Sequence, residues 1–191
     1  PVNALLGLSR FIDATTERIG KSAMWLLLFA VLISTVNAVV RKAFNYAIDK
    51  DAWAKWRKIV KPLTAFTPEG IFHGYPQPKG DQFNPEEARR LLGEAGFPVV
   101  KKDDGSYSCP KFPVDQVEYI YNTQESNKAM AEWMQAQWKQ NLGITISLRN
   151  MEWKTFLNVR AKLEYKGFSR GAWSADYMDP FTFLYLYYSE G

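Results

Sequence analysis

The segment from Gln116 to Arg149 constrains the fold more than any other part of the chain. Gln116 to Asn122 reads as a strand, Ser126 to Asn141 as a helix with Met130, Trp133, Met134 and Trp138 turned inward, and Ile144 to Arg149 as a second strand. Such a unit has one common solution, a right-handed crossover that leaves both strands parallel in one sheet. The chain is therefore predicted to contain an α/β lobe. Nothing repeats at a fixed period, which removes solenoids and propellers. At 191 residues with 47% hydrophobic residues, the chain has enough apolar material to bury a core.

The flanking segments extend this pattern. Arg41 to Trp56, RKAFNYAIDKDAWAKW, places apolar residues at 43, 44, 47 and 48, then Ala52 and Trp56, and is predicted to be one amphipathic helix. Lys61 to Pro85 holds five prolines and three glycines, which remove donors and break periodicity, so it is predicted to be a long surface loop. Asn84-Pro85-Glu86-Glu87 supplies an N-cap, a proline at the first helical position and acid in the first turn. Ala88, Leu91, Leu92 and Ala95 form that helix's apolar face, and Gly96 and Pro98 stop it. Lys101 to Pro113 suits a hairpin around Asp104-Gly105. Met151 to Ala161 reads as a helix, Gly167 to Trp173 as a strand, and Pro180 to Tyr188 as a final helix capped by Asp179.

The first forty residues follow a different rule. Ser22 to Val40, SAMWLLLFAVLISTVNAVV, is 19 residues without a charge. As a helix it would measure roughly 28 Å, close to the ~30 Å hydrocarbon core of a bilayer. Residues 1–40 are therefore predicted to be a membrane-anchor-like segment with one transmembrane helix, and residues 41–191 a separate lobe. Arg18 and Lys21 on one side and Arg41 and Lys42 on the other fix no orientation. Two other readings of the run stay open. One is a buried helix of a soluble core; the other is a signal peptide cut after Val36-Asn37-Ala38.

Charge and composition exclude several functions. The net charge of +4 is spread among alternating signs with no Lys/Arg block, which argues against nucleic-acid binding. Cys109 is the single cysteine, so no intrachain disulfide forms, and one histidine, His73, without a Cys/His cluster gives no zinc site. Asp176, Asp179 and Glu190 lack metal-ligand spacing, and no metal or cofactor is predicted. No phosphate loop, nucleophile elbow or catalytic dyad can be assembled, so the chain is predicted not to be an enzyme.

Two places carry candidate binding residues. Trp153 and Arg160 are seven apart, almost two helical turns, so they share a face with Phe156 and Leu157 between them. That face is an aromatic platform with a cation, or a core stripe with an arginine snorkelling at its rim. Asp176 follows a predicted strand and precedes a proline-started helix, in the kind of loop where open α/β sheets build ligand sites. There it receives an ammonium group, or it caps a turn and is neutralised by Arg170.

These words resemble a known family. RKAFNYAIDKDAWA, NMEWKTFLNVR (Asn150 to Arg160) and AWSADYMDP (Ala172 to Pro180) are similar to segments of the oligopeptide- and dipeptide-binding proteins of ABC importers, the family 5 extracellular solute-binding proteins. The resemblance covers residues 41–191. It implies a lobe of a type II periplasmic-binding-protein fold, an oligopeptide ligand, ABC permease partners and a bacterial periplasmic location, where the predicted span 22–40 would anchor the chain to the inner membrane. By the same resemblance Asp176 pairs with the peptide's α-amino group, Arg170 lies nearby as a charged partner, and Trp173, Trp153 and Arg160 line the cavity. Asn127 stands where some members carry histidine and would meet the ligand's C-terminal end. Full members carry a further lobe, formed largely from sequence before the position matching residue 41, which this chain is expected to lack. Residues 3–45 resemble instead the first membrane helix of the small membrane subunit of TRAP transporters, which implies a fusion joined near residues 41–45 and, as the alternative function, a TRAP small-subunit-like component.

Overall fold

The computed structural model describes residue 24 and residues 34–58, 61–172 and 174–187. The chain divides into two compact units, Pro1–Arg41 and Lys42–Gly191. In the first, most of the uncharged run 22–40 lies outside the described residues, although residues 34–41 are helical. No helix among the described residues is long and apolar enough to cross a membrane.

In the second unit helical residues run from 42 to 46, the end of α1 (residues 34–46), and then stop. The single helix expected over Arg41–Trp56 is two helices. The break has a local cause: Asp49 is extended, and its carboxylate accepts from the Ala52 amide at 2.9 Å, capping a new helix, α2 (Lys50–Arg57). The apolar stripe ends with the break. Ala43, Phe44 and Ala47 are buried, whereas Trp56 is exposed. The loop 61–84 is irregular as predicted, and α3 (Pro85–Glu94) begins where its cap requires, with Asn84 Oδ1 accepting from Glu87 N and Ala88, Leu91 and Leu92 buried. β1 (Val100–Lys101) and β2 (Tyr107–Ser108) form the antiparallel hairpin about Asp104-Gly105.

The crossover unit follows. β3 (Glu118–Asn122), α4 (Glu125–Leu142) and β4 (Ser147–Met151) are succeeded by α5 (Trp153–Ala161) and β5 (Gly167–Ser169), giving a parallel sheet of order β4-β3-β5. Glu118 pairs with Ser147 on one side and Gly167 on the other. β4 starts three residues later than expected, because Ile144 still belongs to the helix end, donating to the Trp138 carbonyl. β5 ends at Ser169 rather than Trp173, and the last helix is the single turn α6 (Phe181–Leu184) followed by 3-10 residues Tyr185–Tyr187. Asp179 does serve its start, accepting from Phe181 N at 2.8 Å.

Both faces of β3 are covered. On one, Phe44 sits among Phe112, Trp138 and Phe168 with ring centroids 5.2 to 5.4 Å away. On the other, Ile120 packs with Met151 and Phe156. The buried stripe of α4 is Asn127, Ala131, Trp138 and Leu142, so Met130, Trp133 and Met134, expected inward, are only half-buried. Trp138 and Asn141 tie α4 to the α1 end by donating to the carbonyls of Phe44 (3.1 Å) and Ala47 (2.8 Å). Gly143 closes α4 at φ 68°, where a β-carbon would meet the Tyr107 carbonyl at 2.2 Å, so no larger residue fits.

Candidate functional site

The strand order decides where polar side chains can gather. The chain passes from β3 outward to β4 and then across to β5 on the opposite side, so the connections diverge at the carboxyl ends of β3 and β5, the switch point at which open α/β sheets bind ligands. Asn122 ends β3 there. It is nearly buried, and its Oδ1 accepts from Asn127 Nδ2 at 2.9 Å and from Arg170 Nη1 at 3.4 Å. Arg170 follows β5 and is fixed through its backbone as well, its amide donating to the Ile120 carbonyl at 2.8 Å. Arg170 is thus held at the edge of the sheet by one guanidinium contact and one backbone contact to the same neighbouring strand. The pKa of the Tyr119 phenol is pushed up to about 12 by burial, against the opposing pull of the Arg170 charge.

Asn127 does not meet the edge directly. Both its amide hydrogens are committed, to Asn122 and to Gln124 Oε1 at 3.2 Å, and the residue is buried. Its place is therefore behind the site, bracing the turn from β3 into α4.

Trp153 opens α5 directly after β4, capped by Glu152, whose carboxylate accepts from Lys154 N and Thr155 N. Its ring stacks on Phe156 at 6.0 Å and remains half exposed. The Arg160 guanidinium also lies over Phe156, 5.5 Å from the ring centroid. The face shared by Trp153 and Arg160 is thus built around one buried ring, with both predicted residues exposed beside it. Arg160 stands about 10 Å farther down the helix axis, away from the sheet edge.

Asp176 is exposed in the bend 176–179, and its amide donates to Thr182 Oγ1 at 3.2 Å. Thr182 is fully buried, so the segment carrying Asp176 is pinned to the start of α6. Trp173 lies outside the described residues. Among the described residues, then, the structure joins Asn127 with Arg170 through Asn122, and Trp153 with Arg160 through Phe156, while no hydrogen bond or ring contact links those two groups to each other or to Asp176. The sequence reading missed Asn122. The available signal was an asparagine closing an apolar strand just before a crossover helix. No group of three acidic, histidine or cysteine residues that could hold a metal exists among the described residues.

A parallel sheet with polar side chains gathered at its switch point is an arrangement in which open α/β folds bind ligands. Residues 34–191 match the bacterial extracellular solute-binding proteins, family 5 middle region, and the chain belongs to this family. It is 38% identical over 99 residues to the periplasmic oligopeptide-binding protein OppA of Salmonella typhimurium, covering 52% of this chain and 16% of that protein. It is 31% identical over 160 residues to the dipeptide-binding protein DppE of Bacillus subtilis, covering 78% and 27%. The crystal structure of the periplasmic oligopeptide-binding protein OppAIV of Borrelia burgdorferi superposes with a TM-score of 0.66 at 36% identity, covering 78% of this chain and 28% of that one. The chain thus spans between 16% and 28% of the length of these relatives.

Proposed function

We propose that residues 41–191 are the peptide-holding part of one lobe of an ABC-importer binding protein, acting in the bacterial periplasm and delivering oligopeptides to permease subunits. The observation that carries this reading is the braced Arg170 at the β3/β5 switch point in a chain of this family. Asp176 receives the peptide's α-amino group, Arg170 balances the carboxylates around it, and Trp153 and Trp173 provide wall. Arg160 contributes at the far rim, and Asn127 acts through Asn122. Recognition of termini and backbone leaves side-chain pockets permissive, so peptide specificity is broad. No catalytic step is assigned. Calorimetry with a mixed peptide library on this chain and on a two-lobe reconstruction tests the reading. It predicts weak heats for the chain alone and saturable binding for the reconstruction, and an inert reconstruction would refute it.

The uncharged run 22–40 supports a second part of the proposal, that residues 1–40 anchor the lobe to the inner membrane. The resemblance of residues 3–45 to the TRAP small subunit supports a join near residues 41–45, within the stretch that the family match also covers. Deleting residues 1–40 is expected to move the protein from the membrane pellet to the supernatant; a full chain found in the supernatant without detergent would remove the anchor.

A further inference from the structure

Away from the switch point, a groove of about 250 Å³ opens between α2, α4 and the start of the loop 61–84. Its walls include Trp53, Leu63, Met130, Trp133 and Met134, with Lys50 among them. It shares no residue with the site described above. The Trp53 and Trp133 rings lie 5.1 Å apart and tilted by 50°; Trp56 and the Arg57 guanidinium already pack on Trp53, so the ring of a ligand would add on the Trp133 side of the groove in offset or T-shaped contact. Met130 and Met134 put two polarisable thioethers beside them, which favour aromatic neighbours and adapt to their shape. One wall is cationic. Lys50 is half-buried, and its ammonium, with three hydrogens to place, donates to the Asp81 backbone carbonyl at 3.3 Å. Burial pushes its pKa down, opposed by the charges of Asp81 and Asp51, and the Asp81 carbonyl takes one of its three hydrogens, which leaves two to offer a ligand. Lys61 at the rim is already paired with Glu69 at 2.7 Å and adds little.

We propose that this groove is a second binding site, for a small aromatic anion whose ring lies among Trp53, Trp133 and the two methionines and whose carboxylate or sulfonate meets Lys50. An apolar wall alone would take any greasy ligand; the half-satisfied ammonium selects the anion, since a charge-assisted hydrogen bond is stronger than a neutral one. The groove is smaller than most drug-sized pockets, which suits a bicyclic ring rather than a peptide or lipid chain.

The experiment labels the methionine methyl groups of the full chain, five in all, for NMR and titrates with 2-naphthoate and with its neutral counterpart 2-naphthalenemethanol. The Met130 and Met134 signals are expected to shift saturably while those of Met151 and Met178 stay in place. Naphthoate is expected to bind about tenfold more tightly than the alcohol, the effect of roughly one charge-assisted contact. Lys50→Met should abolish that preference with the alcohol's affinity unchanged, and Lys50→Arg should retain it. Unmoved Met130 and Met134 signals, equal affinities for the two probes, or a self-associated chain that excludes naphthoate would each overturn the proposal. None of these outcomes depends on peptide binding at the sheet edge, so the two readings fail separately.

Discussion

Asp176→Asn in a protein carrying both lobes is expected to weaken oligopeptide binding by roughly thirtyfold or more, the consequence of losing about 2 to 5 kcal/mol when one partner of an enclosed charge pair is removed. The same substitution in this chain alone should change affinity less than about fivefold, because an exposed ion pair contributes only ~0 to 1 kcal/mol. The difference comes from environment rather than from the contact. Asp176 is exposed in the bend before α6, where water screens its carboxylate and competes for the incoming ammonium. Closure of a second lobe removes that water and buries most of the ligand surface, from which ligand sites gain their affinity. The substitution keeps the size of the side chain, and the backbone contact to Thr182 Oγ1 does not involve the carboxylate, so the local fold should persist. Calorimetry on four proteins, with and without the second lobe and with or without Asp176→Asn, checks this. Equal affinity of the unsubstituted and Asp176→Asn reconstructions would show that the α-amino clamp is misassigned.

The parts of the fold that were legible in the sequence are those determined locally. The cap at Asn84-Pro85 and the hairpin at Asp104-Gly105 rest on residues within a few positions of one another, the crossover from β3 to β4 on the periodicity of one continuous segment, and the structure has all three. The reading failed where a nearby polar group outcompeted periodicity. Asp49 takes the Ala52 amide and ends a helical stripe that continues unbroken in the sequence pattern to Trp56. It also failed where partners lie far away in sequence. Of the four α4 residues expected inward only Trp138 is buried, tied to the carbonyl of Phe44, 94 residues earlier, and Arg170 is held by Asn122, 48 residues earlier. Periodicity gives the direction of a helix face to within a residue or two, and tertiary hydrogen bonds choose among the candidates. For the same reason the sequence identified Arg170 as a candidate but not the asparagine that holds it.

Trp138 shows how much such a choice is worth. It is 2% exposed, stacks on Phe168 at 5.4 Å and meets Phe44 edge-on at 5.3 Å, and its indole N–H satisfies the Phe44 carbonyl at 3.1 Å. Trp138→Ala removes the ring, leaves a cavity between α4 and the sheet, and orphans that carbonyl. Substitutions of this kind cost about 3 to 5 kcal/mol, against a total stability of ~5 to 15 kcal/mol for a typical domain. In urea the midpoint should fall by roughly 1 to 3 M for an m-value near ~2 kcal/mol per M. Trp138→Phe keeps much of the packing but loses the donor, so its smaller penalty, about 1 to 3 kcal/mol, isolates the hydrogen bond and the carbonyl it satisfies. Trp56, 57% exposed on α2, supplies the contrast, since its replacement by alanine should stay within about 0.5 kcal/mol, as surface substitutions do. A larger loss from Trp56→Ala than from Trp138→Ala would mean that α4 presents a different face to the sheet. The brace from β3 to Arg170 depends on that same face, because Asn127 and Trp138 lie along one buried stripe of α4 and cannot be turned inward independently.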